Sequence, residues 1–117
     1  MRYMLLIYGD ESEWSELGQE ESAAEMAKWV AYGQEIESEG ILRGGDALHP
    51  TAAATTVRVR DGETQVTDGP FAETREQLGG YYMLECDGLD QAIDAARRIP
   101  SVGTGSVEVR PIMEFDA

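Results

Sequence analysis

One histidine, one cysteine and a few acids and bases bound the chemistry available to this chain. His49 is the only side chain whose ordinary pKa suits proton transfer near neutrality, so a general acid–base step would centre on it. Asp46, three residues earlier, or Asp68, at the end of a later strand pattern, would orient its ring. Asp68 itself has two readings, as a general base at a cavity mouth or as a structural acceptor. Asp-Gly-Pro marks a corner, where the carboxylate can accept hydrogen bonds from the backbone of Gly69-Pro70-Phe71. Arg110 offers a planar donor fork suited to a carboxylate ligand, or to one of the 23 acidic side chains. Tyr82 is a candidate ligand contact, while Tyr3, Tyr8 and Tyr81 offer hydroxyls beside it; tyrosines in such runs more often serve the core. Phe71 is expected to anchor the loop on the core, and if exposed it is free to meet a ligand. Cys86 has no cationic neighbour in sequence to activate its thiol.

Metal and cofactor chemistry find little support. One histidine and one cysteine give no zinc spacing, and the acids are scattered rather than set in a cation-binding loop. Gly44-Gly45 and Gly79-Gly80 are not phosphate loops, because no helix with a following Lys or Ser/Thr opens behind them. No cofactor motif is present. A net charge of −14 argues against direct contact with nucleic acid, which needs concentrated Lys and Arg. The acidity reads as a device for solubility, or as salt adaptation. No apolar run approaches the ~20 residues that span a bilayer. The start leads directly into a strand pattern without a cleavage site, and the single cysteine fits a reducing compartment, so a cytoplasmic location is expected.

The elements that must position these groups follow from periodicity. Residues 1–117 read as one domain. Tyr3–Tyr8 is apolar throughout and predicts a strand covered on both faces. An acidic stretch over 9–18 predicts a loop or short helical turn that lays Trp14 back on the fold. Gln19–Glu39 shifts to helical spacing, with Met26, Trp29, Val30, Gly33 and Ile36 on one face. Ile41–Arg43 starts a short strand, which Gly44-Gly45-Asp46 is expected to break. Strands over 56–60 and 64–67 flank Asp61-Gly62, the preferred type I′ hairpin turn, which sets Val57 opposite Val66 and Arg60 opposite Glu63. Tyr81–Cys86 is a second strand without alternation. Asp87 is expected to cap a helix with apolar positions Leu89, Ala92, Ile93, Ala96 and Ile99, which Pro100 stops. Ser106–Ile112 closes the chain as a strand.

This order predicts an α+β, ferredoxin-like βαββαβ plan with an extra central β-hairpin strand, both helices lying on one sheet face. Strands 3–8 and 81–86 are apolar on both faces, yet the helices can cover only one. A second copy of the chain is the simplest cover, so a homodimer enclosing a cavity is expected.

Three stretches carry a family resemblance: Tyr3-Met4-Leu5-Leu6-Ile7-Tyr8, Asp68-Gly69-Pro70-Phe71-Ala72-Glu73-Thr74 and Val107-Glu108-Val109-Arg110-Pro111. Through them the chain resembles the DGPF branch of the YCII-related family, almost end to end. The resemblance implies a dimeric α+β barrel. Members of the wider family are thought to use a histidine from the first helix and an aspartate from the end of the second. The matching positions here, residues 23–39 and Arg98-Ile99-Pro100-Ser101, hold neither. The resemblance also suggests an accessory role beside alternative sigma factors, which at this charge would run through a protein partner. The competing expectation is a cofactor-independent enzyme or binder of a small-molecule ligand.

Overall fold

Alternation in the first strand decides the layering. Tyr3, Leu5 and Ile7 are buried, while Met4, Leu6 and Tyr8 between them are only half-buried. The computed structural model describes residues 1–115. Its elements run β1 (Arg2–Gly9), α1 (Glu11–Ser15), α2 (Gln19–Ser38), β2 (Leu42–Ala47), β3 (Thr55–Arg60), β4 (Glu63–Asp68), β5 (Gln77–Glu85), α3 (Leu89–Arg97) and β6 (Ser106–Pro111). Four strands form one antiparallel sheet in the order β2-β5-β1-β6. With α2 and α3 they make the expected ferredoxin-like βαββαβ plan.

Both helices cover the same sheet face. Tyr32 and Ile36 of α2, with Ala92, Ala95 and Ala96 of α3, share one core with Tyr3, Leu5, Ile7 and Leu84. The buried face of α2 is rotated from the one that periodicity suggested, because Met26 and Val30 are more than half exposed. Tyr32 takes the core position instead. Its ring supplies the apolar bulk, and its hydroxyl donates to the Ala95 carbonyl at 2.8 Å, so no polar group is stranded. The apolar face of α3 likewise narrows to its alanines, with Leu89 and Ile93 about half exposed. Small residues there let α3 approach the sheet closely. Gly88, not Asp87, is the N-cap of α3, and the Asp87 N–H instead donates to Gln91 Oε1 at 2.7 Å. Arg98 ties the ends of α2 and α3 through Glu35 and Glu39, and these carboxylates raise its pKa.

The hairpin forms as its turn chemistry predicts. Asp61 and Gly62 both have positive φ, at 52° and 78°, and Val57 pairs with Val66 and Arg60 with Glu63. It lies outside the main sheet, however, as a separate two-stranded sheet. Val57, Val59 and Val66 share its apolar face and are each 58–64% exposed. The radius of gyration, 16.4 Å against about 13 Å for a compact domain of this length, reflects such an outlying arm.

The Asp68 corner differs from expectation. Among the described residues the Asp68 carboxylate accepts no hydrogen bond. The turn is held by the Gly69 N–H on the Ala54 carbonyl at 2.7 Å and by Thr56 Oγ1 on the Gly69 carbonyl at 2.8 Å. Phe71, expected to anchor the loop, is 78% exposed. The rigid corner aims its ring at solvent, because the hairpin has already carried the chain off the core. Tyr32→Phe should therefore cost about 1 kcal/mol in denaturant melts, through the lost bond to Ala95. Phe71→Ala should stay within about 0.5 kcal/mol of the parent, as an exposed ring does.

Candidate functional site

Where β1 ends and α2 begins, the helix layer parts from the sheet and leaves a cavity of about 590 Å³. Two pairs of glycines shape its floor. A Cβ on Gly45 would stand 2.7 Å from the Tyr82 ring and 2.8 Å from the Tyr81 carbonyl, and one on Gly80 would stand 2.8 Å from the Asp46 carbonyl. Only glycine lets β2 and β5 pair this closely beside Tyr82. This is why β2 continues through Gly44-Gly45-Asp46, where a break was expected, and β5 through Gly79-Gly80. A bulge between Leu42 and Gly44 adjusts the register.

The lid over this floor is α1 with the loop behind β2. Asp10 caps α1, accepting from the Ser12 N–H at 3.0 Å and the Ser12 hydroxyl at 2.6 Å; these bonds hold its carboxyl below the usual range. Glu11 reaches across to Thr51, whose hydroxyl donates at 2.6 Å and whose N–H donates at 3.0 Å. The Glu11 N–H in turn donates to Gln77 Oε1 at 3.0 Å. Locked between the loop and β5, α1 presents Trp14 to the cavity, while α2 brings Met26 and Trp29 from the other side. At the sheet edge Tyr81 donates to Asp46 Oδ2 at 2.7 Å, a bond that raises the tyrosine's pKa.

Two of the residues singled out in the sequence meet here: His49 and Tyr82 both line the cavity. Burial raises the Tyr82 pKa, and the Tyr32 ring meets it edge-on at 5.3 Å. His49 is exposed at the mouth and has no hydrogen-bond partner among the described residues, so neither Asp46 nor Asp68 orients it. Asp68 sits on the exposed hairpin, outside this cavity. Arg110 lies on the far sheet face, where it donates to Glu108 Oε2 at 2.8 Å. Phe71 borders a smaller cleft of about 210 Å³ with Tyr8 and Thr51. Cys86 is buried, which pushes its thiol pKa up and leaves it unsuited to nucleophilic work.

Reasoning from the sequence missed the cavity's main walls. Trp14 and Trp29 read as separate packing residues, and Leu48 as loop. Two polar atoms of lining residues, Trp29 Nε1 and Ser101 Oγ, are closed off from solvent and have no hydrogen-bond partner among the described residues. Chemically the site can enclose an apolar or aromatic body and exchange protons with it through His49. Among the described residues no cluster of three or more His, Cys, Asp or Glu forms a metal site, and no helix is long and apolar enough to cross a membrane.

A family model described as the YCII-related domain matches residues 1–116. The chain belongs to the YCII-related family. An uncharacterised protein from Rhizobium meliloti (strain 1021) is 45% identical over 114 residues, covering 96% of this chain and 92% of the relative. In this YCII-related chain the face of α2 that meets the cavity carries Met26 and Trp29. Gly45→Ala should destabilise the protein by about 1–3 kcal/mol in thermal or denaturant melts, since the added methyl overlaps both backbone and ring. Gly44→Ala is the control. Its methyl meets Met83 Cε at an ordinary 3.6 Å and should be tolerated.

Proposed function

We propose that the protein is a cofactor-independent binder of a small organic molecule, held in the cavity between α1, α2 and the sheet. The convergence of both tryptophans with Tyr82 and His49 on one 590 Å³ space supports this reading most strongly. Such a volume and such walls are typical of ligand pockets, where apolar groups enclose the body of the ligand and few polar ones orient it. Catalysis at this site would be proton transfer, with His49 as acid or base on a ligand whose ring lies against Trp14 and Trp29. Asp68 and Arg110 are then peripheral to ligand binding in one chain.

Because only two tryptophans exist and both line the cavity, their fluorescence reports on it directly. Titration with a panel of benzene-sized compounds of differing charge should give a saturable change for at least one. Leu48→Arg, placed at the half-exposed mouth, should weaken that response at least tenfold while leaving the fold intact by circular dichroism. No saturable response from any compound would end the proposal.

The second part of the proposal is a homodimer. Met4, Leu6, Tyr8 and Met83 form a half-buried apolar strip on the sheet face that no helix covers. A two-stranded hairpin is also marginal alone in water, and the valines of β3 and β4 lack a cover of their own. A second copy supplies both covers. Sedimentation at micromolar concentration should give twice the 12.8 kDa chain mass, and Leu6→Asp should return it to one chain. A monomeric parent protein would refute this part.

A further inference from the structure

The walls of the cavity discriminate by charge as well as by shape. Three aromatic side chains on the helix side of the sheet line it: Trp14, Trp29 and Tyr82. Two acidic residues at its rim, Asp10 and Glu11, line it too, and no lysine or arginine does. What these carboxylates bond to is informative. Asp10 accepts from Ser12 and Glu11 from Thr51, both neutral donors. Some acids elsewhere in the chain find cations, as Glu35 and Glu39 do with Arg98, and Glu108 with Arg110. Around the cavity the negative charge is held in place yet left uncompensated. Arg75 is the nearest cation to register there. It helps to lower the Asp10 carboxyl, but it is not among the lining residues.

From this arrangement we infer that the cavity takes an organic cation, a substituted ammonium on an apolar or aromatic body, in preference to neutral or anionic molecules of the same shape. The inference rests on the cavity being a ligand site. Two physical effects act together. Faces of tryptophan and tyrosine rings attract a desolvated ammonium through their quadrupoles, and tryptophan does so best. Carboxylates at the rim lower the potential along the entry path, and the net charge of −14 reinforces them at long range. An anion meets the opposite sign of both effects and finds no guanidinium or ammonium to hold it.

Three compounds with one ring and one tetrahedral head isolate the charge: phenyltrimethylammonium, tert-butylbenzene and benzenesulfonate. Each is titrated into the full-length protein at low salt, with fluorescence of Trp14 and Trp29 as the readout. The ammonium should bind about tenfold more tightly than the neutral compound, and the sulfonate most weakly. In the double variant Asp10→Asn, Glu11→Gln the bonds to Ser12 and Thr51 retain an acceptor, so the fold is kept and the two charges are lost. There the advantage of the ammonium over tert-butylbenzene should fall to about threefold or less. Saturable binding in which tert-butylbenzene equals or exceeds the ammonium overturns the charge preference and leaves the ligand site standing. An undiminished advantage in the double variant overturns the part assigned to the carboxylates. Silence from all three compounds removes the ligand site itself, and the inference with it.

Discussion

Tyr32 is the residue on which three elements converge. Its hydroxyl donates to the Ala95 carbonyl in α3 at 2.8 Å, and its ring meets Tyr82 of β5 edge-on at 5.3 Å. Burial raises its pKa, so the donating proton stays in place. A tyrosine can do this where a leucine could not, because a buried carbonyl near the end of α3 needs partners and the ring must still fill the core. The same contact sets the spacing of α2 from the sheet. It also fixes the rotation of α2, which carries Trp29 round to the cavity side.

From that anchoring point the molecule divides into a well-packed end and an open one. Toward the chain ends of α2 and α3, alanines, Ile36 and Ile99 fill the space between helices and sheet completely. Toward the start of α2 the helix diverges, and aromatic side chains stand in for continuous packing. Close approach is then transferred to the sheet itself, where Gly45 and Gly80 let backbone lie against backbone and ring. A cavity between rigid strands and a tethered short helix is the geometric consequence. The Glu11–Thr51 and Glu11–Gln77 bonds matter because α1, at five residues, is too short to hold itself in place.

Charge follows the same division. Cations are few, and those near α3 and β6 are engaged by neighbouring acids. Short polar partners satisfy the acids at the cavity mouth without neutralising them. Hydrogen bonding and charge compensation are separate requirements of a carboxylate, and here only the first is met. That separation makes the electrostatics of the open end differ from those of the packed end.

Local chemistry made much of this legible in advance. Asp61-Gly62 encodes its hairpin register in two residues, because the type I′ turn needs positive φ at both and twists with the strands it joins. Strand and helix order, and the ferredoxin-like plan, follow from periodicity and crossover handedness. His49 stood out as the single histidine, and Tyr82 as a candidate contact. Other features depend on pairs of residues that no local rule connects. Gly44-Gly45 looks like a break until Tyr82 is known to lie beneath it. Phe71 looks like an anchor until the hairpin is seen to leave the core, and Asp68 looks like a turn acceptor until Ala54 and Thr56 prove to hold the corner. Trp14 and Trp29 belong to different helices, and only the path of the chain between them makes one site of both. Sequence by itself determined the elements, their order and the tightest turn, since these depend on neighbours along the chain. Tertiary structure alone decided which face of each helix is buried and which side chains share a cavity, because those depend on distances between residues far apart in the chain.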